Sequence, residues 1–377
     1  MKTGIRLTSI AVSLAIICVL LTGCWDYKKI DDLTLVAGMA IDKASDDSGY
    51  KVSLEAIDFS MSVQENSVKT QIIQLEGTTI FDAFNKTKTQ IVKELYFPDM
   101  QIICISSGIA SDEGIANIIE SCIRSTDIRE SVYVIISRAE SAEKIIKPGE
   151  GMSSVVSAEI NELIDEIGNN VSSGKKSNLY KIYNQINDSA DIVLPAFSVK
   201  EDSPVIDGMA LIKDSRLVGY LDQEYAEYYQ MAADILNNAT FSFAIDESSS
   251  FNTSISITNN RSAISYDIKE NEALRLSVNV SFDASVREVY SSADVDHAGG
   301  FEMFRRECEE HISKKIYELT DKSRQEYGVD VLGFANHIYR DAPEYWEQIK
   351  DRWETMLKEA EIFVDVDINF TNTSFIS

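Results

Sequence analysis

Two apolar runs separated by a helical pattern decide the fold: Met100-Gln-Ile-Ile-Cys-Ile-Ser106 and Ser131-Val-Tyr-Val-Ile-Ile-Ser137. Between them, the apolar residues of 112–125 recur at the spacing of one helix face. Strands this continuously apolar are typical of a sheet buried on both faces, and strand–helix–strand order is typical of a parallel crossover. The stretch therefore predicts a mixed sheet covered by helices.

Upstream of this unit, the sequence predicts a hairpin followed by a helix. Residues 33–42 form an apolar strand pattern, and residues 50–59 alternate between apolar and polar. The polar positions of the second strand include Lys51, Ser53 and Glu55. Such alternation indicates a strand with one buried and one exposed face. Residues 79–95 then change to helical spacing and predict one amphipathic helix.

Downstream, helices are expected at 153–167, 178–186 and 221–236, with a strand at 192–197 and a hairpin at 205–220. Residues 239–290 have a β pattern throughout, and a long amphipathic helix begins near Phe301. These patterns predict an α+β, multi-domain protein with mixed and antiparallel sheets covered by helices. We place the N-terminal α/β region at 24–200 and the C-terminal α/β region at 201–377.

The C-terminal end predicts a helix and a last strand. Asp341-Ala-Pro-Glu344 combines a capping-box pattern with Pro at the first helical position. The helix that it opens is expected to bury Trp346, Ile349 and Trp353. The strand 363–370 alternates and leaves Asp365 and Asp367 on an exposed face.

Residues 1–23 have the features of an export signal. Lys2 and Arg6 precede the apolar run 7–21, which is shorter than the roughly 20 residues of a spanning helix. Leu21-Thr-Gly-Cys24 resembles a bacterial lipobox, which implies cleavage after Gly23 and a diacylglycerol on Cys24. Several acyl chains would hold a body at the membrane where one would not. The alternative is an uncleaved signal anchor in which the Cys has no role.

The charge of the chain restricts its partners. Lys and Arg total 35 against 61 Asp and Glu, for a net charge of −26. Nucleic acid is excluded as an expected partner, because its binding needs phosphate-neutralising cations. Adhesion of the protein surface to anionic lipid is disfavoured for the same reason. We therefore expect the lipid on Cys24 to provide the anchor and the charge to provide solubility.

The remaining cysteines and histidines predict no reactive centre. Cys104, Cys122 and Cys308 lie in apolar patterns, so we interpret them as buried free thiols. A Cys104–Cys122 disulfide is the alternative. The histidines are His297, His311 and His337, and the sequence contains neither an H-E-x-x-H zinc motif nor a G-x-S-x-G nucleophile elbow.

One stretch resembles a calcium-binding loop but departs from it. Residues 294–305 have carboxylates at the first and third positions and Gly at the sixth. Position five is Ala298, and position twelve is Arg305 where a bidentate Glu is required. We therefore expect no metal, no cofactor and no catalytic residues, and interpret the chain as a lipid-anchored binding or interaction protein. An enzyme with an unrecognised site is the alternative.

Several motifs are similar to those of one family along the whole mature chain. They are Gly23-Cys-Trp-Asp26, Val36-Ala-Gly-Met-Ala-Ile-Asp-Lys43, Gly77-Thr-Thr-Ile-Phe-Asp-Ala-Phe84, Asp207-Gly-Met-Ala-Leu-Ile-Lys-Asp214 and Tyr345-Trp-Glu-Gln-Ile-Lys-Asp-Arg-Trp353. They resemble the Ger(x)C family, the C subunits of bacterial spore germinant receptors. The chain departs from the pattern at Tyr27, where Arg or Lys is common, and at Asp214-Ser215.

The resemblance implies a lipoprotein on the outer face of the spore inner membrane, built from three α/β domains of unusual topology. It would work beside the A-type and B-type membrane subunits of the receptor, one transporter-like and one carrying soluble domains. The family has no established catalytic residues, so only Cys24 and its lipobox carry over. The rival interpretation is a lipid-anchored solute-binding protein of an importer, which would hold its ligand between two lobes.

Overall fold

The structure is a computed structural model. It describes residues 32–45, 48–57, 68–87, 91–125, 127–149, 155–167, 177–236, 238–244, 252–268, 274–289 and 300–372. The predictions made for Gly23, Cys24 and His297 lie outside the described residues, as do positions 294–299 of the calcium-like loop.

The first sheet has nine strands. They are β1 (Leu33–Lys43), β2 (Tyr50–Ile57), β3 (Thr70–Gly77), β4 (Glu94–Tyr96), β5 (Ile102–Ser106), β6 (Tyr133–Ser137), β7 (Ile192–Lys200), β8 (Ser203–Lys213) and β9 (Arg216–Leu221). Their order is β3-β2-β1-β5-β6-β7-β8-β9, and β4 pairs with the start of β1. The central strands β1, β5, β6 and β7 are parallel, and antiparallel hairpins extend both edges. The predicted mixed sheet is confirmed.

Helices cover both faces of this sheet. They are α1 (Ile80–Thr87), α2 (Ser107–Asp112), α3 (Ala116–Arg124), α4 (Glu143–Ile146), α5 (Val156–Ile167) and α6 (Leu179–Asn187). One apolar cluster joins α1, α2, α3 and α6 to one face, and a second joins α4 and α5 to the other. Every residue of β5 and β6 is buried as a result.

Three sequence predictions in this region need correction. Strand β2 has no exposed face, because α4 and α5 cover the side that carries Ser53 and Glu55, which are both fully buried. The helix predicted over 79–95 ends at Thr87, and residues 94–96 pair with β1 instead. The helix predicted over 112–125 begins later, because α3 starts at Ala116, and a separate helix α2, capped by Ser106, precedes it.

The second sheet has four strands in the order β10-β11-β12-β13. They are β10 (Ala239–Ala244), β11 (Asn252–Ile268), β12 (Leu274–Val289) and β13 (Glu361–Asn372). The helices of this part are α7 (Gln223–Ala232), α8 (Gly300–Glu326), α9 (Phe334–Asp341), α10 (Pro343–Ile349) and α11 (Trp353–Glu359). In β13, Val366 and Ile368 are buried while Asp365 and Asp367 are exposed, which confirms the predicted alternation.

The helical segment before β13 differs from the prediction. Asp341 ends α9, and Ala342 precedes α10 without a side-chain cap, so the capping box is wrong although Pro343 does occupy the first turn. A 3₁₀ turn over Lys350–Arg352 separates α10 from α11. Ile349 is fully buried, whereas Trp346 and Trp353 are half-buried with ring centroids 5.5 Å apart.

A β-hairpin lies across the boundary that the sequence suggested at residue 200. Strands β7 and β8 pair from Ile192–Ile212 to Lys200–Ser203. One apolar cluster also joins Met209, Leu211 and Leu221 of the first sheet to α7, α8 and the second sheet. The division at 200 stays a prediction, and the two regions share backbone and side-chain contacts. Along the described ranges, no helix is long and apolar enough to cross a membrane.

Candidate functional site

A carboxylate from the sheet caps helix α5. Glu55 accepts hydrogen bonds from the backbone N–H groups of Val156 and Ser157, each at 2.8 Å. The first N–H groups of a helix have no partner inside it, so Glu55 satisfies two of them from β2. Burial raises the pKa of Glu55 above its ordinary value. This carboxylate is fully buried and holds the sheet to α5.

A second sheet carboxylate does the same for α4. Asp42 accepts hydrogen bonds from the N–H groups of Ala142, at 2.7 Å, and Glu143, at 3.0 Å. Burial raises the pKa of Asp42. The Glu143 side chain lies beside it and accepts from Ser53 Oγ at 2.9 Å and pairs with Lys51 Nζ at 2.6 Å. Asp42 therefore has a structural role at the start of α4.

The described histidines are packed side chains. His311 stacks on Phe243 with centroids 4.4 Å apart, and its Nε2 lies 3.2 Å from the Tyr228 hydroxyl. His337 lies edge-on to Tyr266, with Nε2 3.4 Å from the Asp341 carboxylate.

The described cysteines are free and buried, as predicted, and the alternative Cys104–Cys122 disulfide is not formed. Burial raises the pKa of both Cys122 and Cys308 to about 12. Thiols with such pKa values remain protonated and poorly nucleophilic at neutral pH. Among the described residues, no group of three or more His, Cys, Asp and Glu side chains could hold a metal ion.

The first sheet makes several polar contacts with the loop 327–333, which joins α8 to α9, and with α11. Asp191, just before β7, accepts the Asp330 N–H at 2.7 Å. Lys213, at the end of β8, donates from Nζ to the Gly328 carbonyl at 2.9 Å and pairs with Glu354 at 2.8 Å. We refer to these contacts as the joint.

The joint also depends on one close approach. A Cβ atom added at Gly219 in β9 would lie 2.1 Å from the Tyr327 ring, so only glycine allows this ring to cover the strand. Asp330 is 6% exposed, and its carboxylate accepts the N–H groups of Gly333 and Ala335 at 3.0 and 2.7 Å. The carboxylate thereby fixes the shape of the loop that the first sheet contacts.

Sequence reasoning missed the roles of these carboxylates for different reasons. The alternation in β2 is also that of a strand with one face in solvent. The available signal for Glu55 was the helix predicted at 153–167, whose apolar side needs a sheet face to cover. Asp191 and Asp330 are 139 residues apart, and no local pattern connects them.

Comparison with known proteins accounts for nearly the whole chain. A family model described as the spore germination protein N-terminal domain matches residues 26–199. A second, described as spore germination B3/GerAC like, C-terminal, matches residues 207–374. Consecutive matches in this order leave only the N-terminal segment, a short connection and the last residues outside.

Individual relatives match over similar lengths. Spore germination protein KC of Bacillus subtilis (strain 168) is 22% identical, covering 93% of this chain and 91% of the relative. Spore germination protein B3 of the same organism is 20% identical, covering 99% and 98%. Spore germination protein GerQC of Bacillus cereus is 22% identical, covering 95% and 97%.

The fold is similar to that in a crystal structure of the GerBC protein. The TM-score is 0.59 at 15% identity, over 89% of this chain and 97% of that chain. At this identity the likeness concerns the fold, and it extends over both sheets.

Proposed function

Because the chain belongs to the Ger(x)C family of spore germination proteins, we propose that it is the lipid-anchored C subunit of a nutrient germinant receptor. The observation that carries this proposal is the lipobox Leu21-Thr-Gly-Cys24 directly before a body that both family models match. In this proposal the protein lies on the outer face of the spore inner membrane.

The proposed anchor places the first sheet close to the bilayer. Strand β1 begins at Leu33, nine residues after Cys24, and an extended chain spans at most about 3.3–3.6 Å per residue. The body would therefore stay within about 30 Å of its lipid. A weak contact with a membrane protein is occupied under such tethering, because the effective concentration is high.

We propose that the protein acts by contact with the A-type and B-type membrane subunits and not by catalysis. Two features support this. The matched family models and relatives are described as spore germination proteins. The described histidines, cysteines and carboxylates Asp42 and Glu55 are engaged in packing, caps and ion pairs.

The test is deletion of the gene in a sporulating host. Nutrient-triggered germination is expected to slow or stop, with vegetative growth unchanged, and the wild-type gene should restore it. Affinity purification of the tagged protein from spore inner membranes is expected to recover both membrane subunits. Normal germination on every nutrient together with lost import of one solute would instead identify a solute-binding protein.

A further inference from the structure

We propose that the joint is a pH-sensitive latch, in which the loop 327–333 is held firmly to the first sheet in acid and loosens as the pH rises to neutrality. The inference concerns the conformation of this chain alone and does not depend on its partners. It rests on which charges the joint brings together and on how the loop is held.

The joint places two carboxylates against each other with one cation nearby. Asp191 contacts the backbone of Asp330, whose own side chain is buried. The charged groups that face Asp191 are Asp330 on the loop, Lys213 at the end of β8 and Asp214 in the following turn. Glu354 of α11 pairs with the Lys213 ammonium group at 2.8 Å and with Lys358 at 2.9 Å. The four carboxylates therefore outnumber the two lysines, and docking of the loop brings their negative charges close together.

Burial, the nearby Asp330 and Asp214 raise the pKa of Asp191 from 3.8 to about 6, although the Asp330 N–H and Lys213 act against this change. Burial also raises the pKa of Asp330. When the loop is released, Asp191 regains solvent and its ordinary pKa. The docked state therefore binds a proton between about pH 4 and 6 that the released state does not bind.

The sign of the pH dependence follows from this difference. Stability from a group whose folded pKa is raised is complete below its unfolded pKa and is lost as the pH rises through the folded pKa. From about pH 4 to above 6, Asp191 alone would weaken docking by a factor on the order of 100. The apolar cluster that includes Met209, Leu211 and Leu221 contains no Asp, Glu, His or Lys side chain, and Val329 and Val331 of the loop belong to it. This packing keeps the loop and the two sheets associated while the polar contacts of the joint loosen.

Loosening has a defined structural consequence, because the loop 327–333 is the connection between α8 and α9. Helix α8 packs along β13, where Ser313 Oγ donates to the Val364 carbonyl at 2.7 Å. The loop also orients α9 through the bond from the Ala335 N–H to Asp330. A change in protonation at the end of the first sheet would thus reach the helices that cover the second.

Hydrogen–deuterium exchange of the detergent-solubilised full chain tests the proposal. Amides of 327–335 are compared between about pH 5 and pH 8 after correction for intrinsic exchange rates. Protection is expected to be at least about tenfold greater at pH 5. Asp191→Asn keeps the acceptor oxygen without the charge, so it should retain the acid level of protection throughout. Asp188→Asn, the same change at an exposed residue, should keep the pH step.

Equal protection of the wild-type loop at both pH values would overturn the proposal, as would a pH step that persists in Asp191→Asn. A second variant keeps the test decisive if Asp191→Asn does not fold. Lys213→Met removes the cation that favours ionised Asp191, so the midpoint of the step should move to higher pH. Lower protection at every pH with an unchanged midpoint would show that Lys213 acts only as a structural contact and would contradict the latch.

Discussion

At the scale of single residues, the first sheet is joined to its helices by charge as well as by apolar packing. Glu55 is fully buried, which is unfavourable for a carboxylate unless its oxygens are satisfied. Two helix N–H groups satisfy them, and the positive end of the helix dipole favours the negative charge. A polar residue that would weaken an apolar core thus fixes the position of α5.

We predict that Glu55→Ala destabilises the protein strongly. An unsatisfied buried N–H costs about 1–3 kcal/mol, and this substitution leaves the N–H groups of Val156 and Ser157 without their partner. The free energy of unfolding from urea denaturation should fall by about 2 kcal/mol or more. Glu162→Ala, on the exposed side of α5, is the matched control and should change it little. Equally small effects of the two substitutions would mean that water satisfies the two helix N–H groups in place of the Glu55 carboxylate.

At the scale of secondary-structure elements, the predictable part of the fold was the part that local sequence controls. Strands β5 and β6 were evident because both faces of each are apolar. The prediction of an exposed face on β2 failed because a strand whose Glu is buried and caps a distant helix shows the same apolar–polar alternation as a strand whose Glu is exposed. The prediction of a helix over 79–95 failed at its end because residues 94–96 pair with residues 33–35 of β1. The spacing of apolar residues within 79–95 does not reveal a pairing with a distant strand. The joint was unpredictable because its members are far apart in sequence.

The segment α10–α11 gives a prediction about residues that share a helical spacing in the sequence but differ in burial. Ile349 is fully buried, whereas Trp353 is half-buried and lies edge-on against Trp346. Truncation of a buried Ile to Ala costs about 2–5 kcal/mol of unfolding free energy. Truncation of Trp353, which is larger but partly exposed, should cost less than truncation of a fully buried Trp. We therefore expect Ile349→Ala to lower the melting temperature more than Trp353→Ala. The opposite order would place the indole in the core.

The hairpin β7–β8 gives a second prediction at this scale. A fragment that ends at residue 200 loses β8 and β9, which leaves the edge of β7 unpaired and exposes the face that Leu211 and Ile212 cover. Unpaired apolar edges promote aggregation. A fragment of residues 25–200 should therefore be less soluble than one of residues 25–221, as size-exclusion chromatography would measure. A monomeric, thermally cooperative 25–200 fragment would show that the first region folds without the hairpin.

At the scale of the whole molecule, the negative net charge and the proposed lipid anchor together determine how the protein would be held at a membrane. The net charge of −26 makes the bare protein surface a poor ligand for anionic lipid, since cationic residues are what such membranes attract. Membrane residence would therefore depend on the acyl chains proposed for Cys24. The proposed tether would then set the concentration of the body at its proposed partners, and its loss should reduce function even when the fold is intact.

We predict that Cys24→Ala abolishes fatty-acid labelling and moves the protein from the membrane to the soluble fraction of spores. Cys18→Ala is the matched control, because it alters a nearby cysteine that lies in the apolar run 7–21 and outside the lipobox, and it should behave as wild type. Germination of Cys24→Ala spores should slow. Replacing residues 1–24 by an unrelated spanning helix should restore germination if tethering alone matters. Labelled or membrane-bound Cys24→Ala protein would refute the anchor, and normal germination by a soluble form would refute the need for a tether.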